Sequence, residues 1–77
     1  MWPPTRVIIA PANEAERASV RTAQRALRVA ETGDMDDATK AALRGVQTLF
    51  QLPVTGVLDA VTAKALDRLR PPSLRED

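Results

Sequence analysis

Two Asp–Thr pairs, Asp36 with Thr39 and Asp59 with Thr62, are the most regular polar spacing in the chain. Each lies in a stretch of the same form. The first is Thr32-Gly33-Asp34-Met35-Asp36-Asp37-Ala38-Thr39-Lys40-Ala41-Ala42-Leu43, and the second is Thr55-Gly56-Val57-Leu58-Asp59-Ala60-Val61-Thr62-Ala63-Lys64-Ala65-Leu66. Thr, Gly, Asp, Thr and Leu recur at one constant offset, from Thr32 to Thr55 and so on through Leu43 to Leu66. Such a run of matches reads as an internal repeat. Carboxylates at fixed spacing can act as acids, bases or metal ligands. Here a simpler chemistry fits. Glycine permits the positive φ of a tight turn. An Asp just after the turn accepts the backbone N–H of the residue three on, the Thr, whose hydroxyl is expected to reach back. Both pairs are predicted to be structural helix caps.

The remaining composition removes most catalytic options. The chain has neither His nor Cys, so it lacks the commonest general base, the commonest metal ligand and any thiolate. A hydrolase would need paired carboxylates or an unusual Ser, Thr or Lys nucleophile. The acidic residues fall mostly at caps and turns. No enzyme activity, cofactor or metal is expected. The formal net charge of +1 argues against a dominant nucleic-acid function. Arg17, Arg21, Arg25 and Arg28 do form a stripe on one helix face. It reads as a solvated face relieved by Glu14 and Glu31, with an anionic partner as the sharper alternative. No aromatic residue interleaves it, so nucleic acid is an unlikely partner.

The elements that position these residues follow from periodicity and punctuation. At 77 residues the chain is one small domain, and its 44% hydrophobic content is inflated by alanine, so the core is thin. Residues 1–12 read as an extended arm, with Pro3, Pro4 and Pro11 around the β-branched Val7-Ile8-Ile9. Such a strand must pack on its own helices or pair with another chain. As a docking arm it would use Trp2, Val7, Ile8 and Ile9, with Trp2 as anchor. Asn13 with Glu16 opens a helix expected to run to about Ala30, with Val20, Ala23, Leu27 and Ala30 inward. A second helix is predicted from Asp37 to about Phe50, with Ala38, Ala42, Leu43, Val46, Leu49 and Phe50 over a wide arc. A third is predicted from Ala60 to about Leu69, with Val61, Ala65, Leu66 and Leu69 inward. Pro71-Pro72 stops it before a polar tail, residues 71–77.

The stretch Val20-Arg21-Thr22-Ala23-Gln24-Arg25-Ala26-Leu27, then Ala42-Leu43-Arg44-Gly45-Val46-Gln47, then Leu52-Pro53-Val54-Thr55-Gly56-Val57-Leu58-Asp59-Ala60-Val61-Thr62 resembles the three-helix peptidoglycan-binding domain family. The likeness covers about Val20 to Leu69. It is carried by Gln24, Leu27, Thr39, Ala42, Gln47, Leu52, Thr55, Gly56, Asp59, Thr62 and Leu66. It implies an all-α fold, a small three-helix bundle over residues 13–70 behind the extended N-terminal arm. It also implies a groove for wall fragments, for which Arg44, Gln47, Phe50 and Thr55 are the candidate ligand-binding residues. Departures from the family pattern include Ala23 for Leu, Val46 for Phe, and Gln51 where a Gly commonly closes the second helix. That helix is therefore expected to end without a left-handed glycine cap.

Two functions are carried forward. The first is a non-catalytic module that binds bacterial peptidoglycan. Its weakness is a shortage of sugar-stacking rings, since Trp2 and Phe50 are the only aromatic residues and Phe50 reads as core before platform. The second is a purely structural cementing module in a larger protein assembly, such as a phage capsid or tail. No secretory signal or membrane-length apolar run is read, and Met1 is read as the start of a complete product made in the cytoplasm. A phage virion accessory, a capsid or tail decoration protein that meets the wall from outside, reconciles these points. Localisation is accordingly expected in a virion or at the cell wall, without membrane insertion.

Overall fold

The chain begins each helix in the same way. In this computed structural model, which describes residues 2–69, α1 spans Glu14–Leu27, α2 Asp37–Leu49 and α3 Ala60–Leu69. The side chain of Asn13 accepts the N–H of Glu16 at 2.9 Å, Asp36 that of Thr39 at 3.0 Å, and Asp59 that of Thr62 at 2.8 Å. These three caps are evenly spaced along the chain at the offset of the repeat. Val20, Leu43 and Leu66 share that spacing, and each has no exposed surface. The Asp pairs are thus the structural caps expected from the sequence. The Thr39 hydroxyl reaches back to the Asp36 carboxylate as expected, and both Thr39 and Thr62 hydroxyls also accept a bond from a glutamine, Gln24 and Gln47 respectively.

Each helix packs on both others. The core is Ile8, Val20, Ala23, Leu43, Val46, Leu58, Ala63, Ala65 and Leu66, with Trp2, Leu27, Met35, Phe50 and Leu52 packed at its margin. Alternation of alanine with larger aliphatics lets the three axes come close. Among the described residues every buried side-chain nitrogen and oxygen has a hydrogen-bond partner.

Several boundaries and faces depart from expectation. α1 stops at Leu27 and not near Ala30, because Arg28 turns into the left-handed region with φ 61°. The N–H of Arg28 then bonds to Arg25 O, and that of Val29 to Gln24 O at 3.1 Å. The same closure ends α2: Gln51 has φ 58°, its N–H bonds to Thr48 O at 3.1 Å, and that of Leu52 to Gln47 O at 2.8 Å. This is the Schellman geometry that usually selects glycine. The second helix does end in a left-handed cap, then, but a glutamine supplies it. Ala38 is exposed, as are Leu49 at 68%, Val61 at 55% and Leu69 at 39%. The inward arcs expected of α2 and α3 are too wide, because their outer turns border open grooves and not a neighbouring helix. The tail, residues 71–77, and the prolines expected to stop α3 lie outside the described residues.

The arm is built into the fold. Ile8 is fully buried and forms an antiparallel bridge with Leu58, through Ile8 N to Leu58 O at 2.8 Å and Leu58 N to Ile8 O at 3.2 Å. The indole N–H of Trp2 donates to Asp67 Oδ1 at 3.0 Å on α3. Arg6 makes a two-pronged pair with Glu16, whose carboxylate also accepts the N–H of Ala12 at 2.7 Å. Trp2 and Ile8 are therefore not free to dock on a partner, contrary to the docking-arm expectation. The physical reason is the thin helical core, which the isoleucine completes. Val7 and Ile9 remain exposed.

This packing is open to measurement at two positions. Ile8→Ala should cost about 2–5 kcal/mol, as large-to-alanine changes do in closed cores, read as a drop in urea midpoint at unchanged slope. Gln51→Gly should raise stability by about 0.5–1 kcal/mol by relieving a left-handed residue that has a Cβ. An unchanged or lower midpoint for Gln51→Gly would contradict the cap geometry.

Candidate functional site

The region that carries the family likeness is held by a buried amide. Gln47 lies on the inner face of α2 with no exposed surface. Its Oε1 accepts the N–H groups of Thr55 and Gly56, each at 2.9 Å. Its Nε2 faces Thr55 Oγ1 at 3.0 Å, Val57 O at 3.2 Å and Thr62 Oγ1 at 3.0 Å. The two backbone donors settle which end of the amide is oxygen. Gln24, one repeat earlier on α1, builds the same clasp. Its Oε1 accepts Gly33 N at 2.9 Å, and its Nε2 faces Thr32 Oγ1 at 3.0 Å, Asp34 O at 2.9 Å and Thr39 Oγ1 at 2.9 Å. Each glutamine thereby ties its own helix to the following turn and to the first turn of the next helix.

The glycine in each clasp is required by its conformation. Gly33 has φ 79° and Gly56 φ 73°. A Cβ on Gly33 would lie 2.9 Å from Arg21 Nη1, and one on Gly56 3.1 Å from Arg44 Nη1 and 3.3 Å from Arg44 Cγ. Arg44 is thus laid across the second corner, as Arg21 and Arg17 are across the first.

These positions divide the four candidate ligand residues. Gln47 is sealed inside and has no group left for a ligand, so its groove assignment is replaced by a structural one. Thr55 is solvent-exposed as a residue, but its hydroxyl and N–H are engaged by Gln47. Arg44 is exposed beside Thr55 over Gly56. Phe50 belongs to a different surface, the groove formed where α2 exits and α3 begins.

That groove has a volume of about 210 Å³ and is lined by Phe50, Leu52, Val61, Lys64, Ala65 and Arg68. Phe50 and Leu52 flank the left-handed Gln51, so the closure of α2 sets the apolar wall. Val61, Lys64, Ala65 and Arg68 form one stripe of α3 at helical spacing. Neither Lys64 nor Arg68 makes an ion pair among the described residues. Sequence reading finds Phe50 and misses the α3 stripe. The signal is present as alternating apolar and basic residues at 61, 64, 65 and 68, on a face taken to be core because of Val61.

A second groove of about 370 Å³ is lined by Ala26, Leu27, Arg28, Ala42, Gly45, Val46, Leu49 and Leu69. It is larger, but Arg28 is the only charged group along it among the described residues. A ligand site needs polar groups converging on an apolar surface, and the smaller groove has the better set.

The α1 arginine stripe is largely neutralised within the chain. Arg17 Nη1 lies 2.6 Å from Asp34 Oδ1, Arg21 Nη2 2.6 Å from Glu14 Oε2, and Arg25 Nη2 3.0 Å from Glu31 Oε1. The solvated-face reading holds, with Glu14 and Glu31 as the expected relief. These bonds hold the Glu14 carboxyl (through Arg21), the Glu16 carboxyl (through Arg6) and the Glu31 carboxyl (through Arg25) below the usual range. The Asp36 carboxyl is held down by the Thr39 hydroxyl and then by the Thr39 N–H. No group of three or more His, Cys, Asp or Glu able to hold a metal occurs among the described residues.

Residues 16–66 match the family model described as "Putative peptidoglycan binding domain". The match covers most of the chain, from the first turn of α1 to Leu66 in the core, and includes both glutamine clasps. The chain belongs to the peptidoglycan-binding domain family. No curated protein and no solved structure matches it.

Two measurements check the site's construction. Gln47→Leu keeps the volume but strands the N–H groups of Thr55 and Gly56. It should cost about 2–4 kcal/mol, within the range for buried groups left unsatisfied, and urea melts would show it. The pH dependence has a definite sign. Carboxyls whose folded pKa is depressed contribute fully above their unfolded value, about 4, and lose that contribution as pH falls through the folded value. The urea midpoint should therefore be flat from neutral to mildly acidic pH and fall below about pH 4. Asp36→Asn, which keeps a capping oxygen but cannot titrate, should show a shallower fall than the parent chain.

Proposed function

We propose that the chain is a non-catalytic peptidoglycan-binding module whose wall contact is the groove between the exit of α2 and the face of α3. The observation that carries this reading is the joint presence, in a member of this family, of Phe50 and two unpaired cations around one concave surface. The non-catalytic part is supported by the absence of His and Cys. It is also supported by the engagement of Asp36 and Asp59 as caps and of Glu14, Glu16, Glu31 and Asp34 in ion pairs. Association with the bacterial cell wall is the localisation that accompanies this function. No helix among the described residues is long and apolar enough to cross a membrane.

A phage virion accessory is the finer form of this reading, a wall-binding module carried to the wall from outside; the alternative, a purely structural cementing module in a larger assembly, relies on the arm as a docking strand. Its remaining support is the exposure of Val7 at 46% and Ile9 at 68% beside the anchored Ile8. The cation beside it, Arg6, is already paired with Glu16, whereas Lys64 and Arg68 at the groove are unpaired among the described residues, so wall binding is the better supported reading.

The test is co-sedimentation of the purified chain with isolated sacculi, beside a control protein of similar size and charge. Enrichment over the control is expected. Val61→Gln, at an exposed position in the groove, should weaken it by about fivefold, the equivalent of losing most of one valine's apolar contact. Absence of enrichment of the parent chain would remove the proposal.

A further inference from the structure

The distribution of unpaired charge over the molecule suggests which part of the wall polymer the groove takes. Peptidoglycan offers two surfaces of different chemistry. Its glycan strands are built of N-acetylated sugars, and its peptide stems carry free carboxylates. Protein recognition of sugar faces relies on exposed aromatic rings, whose flat apolar faces match those of the sugar. This chain is poor in them. Trp2 is half-buried against the core with its N–H bonded to Asp67, which leaves Phe50 as the one ring bordering the groove.

Cations, by contrast, are available there. Arg6, Arg17, Arg21 and Arg25 are each matched to a carboxylate of the chain's own. Lys64 and Arg68 are exposed, one helical turn apart on one face of α3, and matched to none among the described residues; Arg28, Lys40 and Arg44 are unmatched too, but they do not line this groove. Two residues at that spacing project side by side, about 5–6 Å apart at their Cβ atoms. Between them lies Ala65, whose small side chain leaves room for a ligand to settle against Phe50, Leu52 and Val61. The arrangement has an apolar floor for aliphatic side chains and paired donors for a carboxylate at its edge. Arg68 adds the planar fork that meets a carboxylate in two parallel hydrogen bonds.

Resting on the wall-binding reading above, we infer that the groove binds the peptide stem of peptidoglycan and not its glycan strand, with Lys64 and Arg68 gripping a free stem carboxylate and Phe50, Leu52 and Val61 taking the stem's aliphatic side chains. The binding is electrostatic at its rim, so it weakens with salt. It is also sensitive to any modification that removes the stem's charge, and amidation is the simplest such change.

The experiment uses the full chain and four probes: sacculi stripped of phosphate-bearing secondary polymers, a soluble disaccharide–peptide fragment with free carboxylates, the same fragment amidated, and peptide-free N-acetylated oligosaccharide. Binding to the stripped sacculi and to the free-carboxylate fragment is expected. Amidation should weaken binding about tenfold, and the peptide-free sugar should bind no better than the amidated fragment. Lys64→Gln and Arg68→Gln should each weaken binding to the free-carboxylate fragment about threefold, in the range of partly exposed ion pairs, and together about tenfold. Both positions are exposed, so the variants should melt like the parent chain. Lys64→Arg should retain binding.

Sacculi that bind the parent and the double variant equally would overturn the stem assignment while leaving the wall-binding reading intact. The same holds if amidated and free fragments bind alike, or if the peptide-free sugar binds as well as the free-carboxylate fragment. Binding that vanishes when phosphate polymers are stripped would assign the cations to those polymers and overturn it as well. Failure of every wall preparation to bind would end both readings together.

Discussion

A primary amide sealed beneath a glycine turn is the constraint on which this structure depends. Each turn between helices presents backbone N–H groups to the interior, and burying such a group without a partner costs several kcal/mol. Gln24 and Gln47 resolve this from the inner face of the preceding helix. One end of the amide accepts from the turn, and the other donates to a carbonyl and to two threonine hydroxyls. No aliphatic residue of that size does both. The same polar group that satisfies the turn also fixes where the next helix starts, since one of its threonines is the third residue of that helix. The Gln, Thr-Gly, Asp and Thr positions of the repeated motif are therefore one hydrogen-bonded unit. Their regularity records a folding requirement and not a ligand.

The arm answers a different shortage. Three short helices rich in alanine bury few large side chains, and small domains have little surplus stability. Ile8 supplies a fully buried aliphatic group at the edge of the bundle and bridges Leu58 in the loop before α3. Trp2 and Arg6 extend the attachment to α3 and α1. A segment with the composition of a docking strand is thus turned inward by the bundle it belongs to.

Charge is arranged unevenly over this scaffold. The arginine face of α1, the most conspicuous basic feature of the chain, is largely matched by Glu14, Glu31 and Asp34. The less conspicuous Lys64 and Arg68 stand unmatched among the described residues, beside an apolar groove. Exposed ion pairs contribute little to stability, so pairing on α1 matters more for removing a spurious anion site than for strength. Arg28, Lys40 and Arg44 are also unpaired among the described residues, but of the unpaired cations only Lys64 and Arg68 line the groove beside Phe50.

Much of this is readable along the chain. Helix caps are local chemistry, and Asn13, Asp36 and Asp59 each announce a helix through the residues that directly follow. The constant offset between the two copies of the motif locates the second and third helices. The left-handed closures at Arg28 and Gln51 are not readable, because neither residue carries the glycine signal. They are closed by backbone bonds, Val29 N–H to Gln24 O and Leu52 N–H to Gln47 O, that only the folded turn brings together. The groove is half readable. Phe50 stands out by type, whereas Val61, Lys64 and Arg68 sit on a face whose exposure depends on how far α2 and the arm reach across α3. Sequence by itself determined the local rules, namely where helices start and which polar groups must find partners. Tertiary structure alone decided which apolar residues were left uncovered and which cations went unpaired, because both depend on distances between segments far apart in the chain.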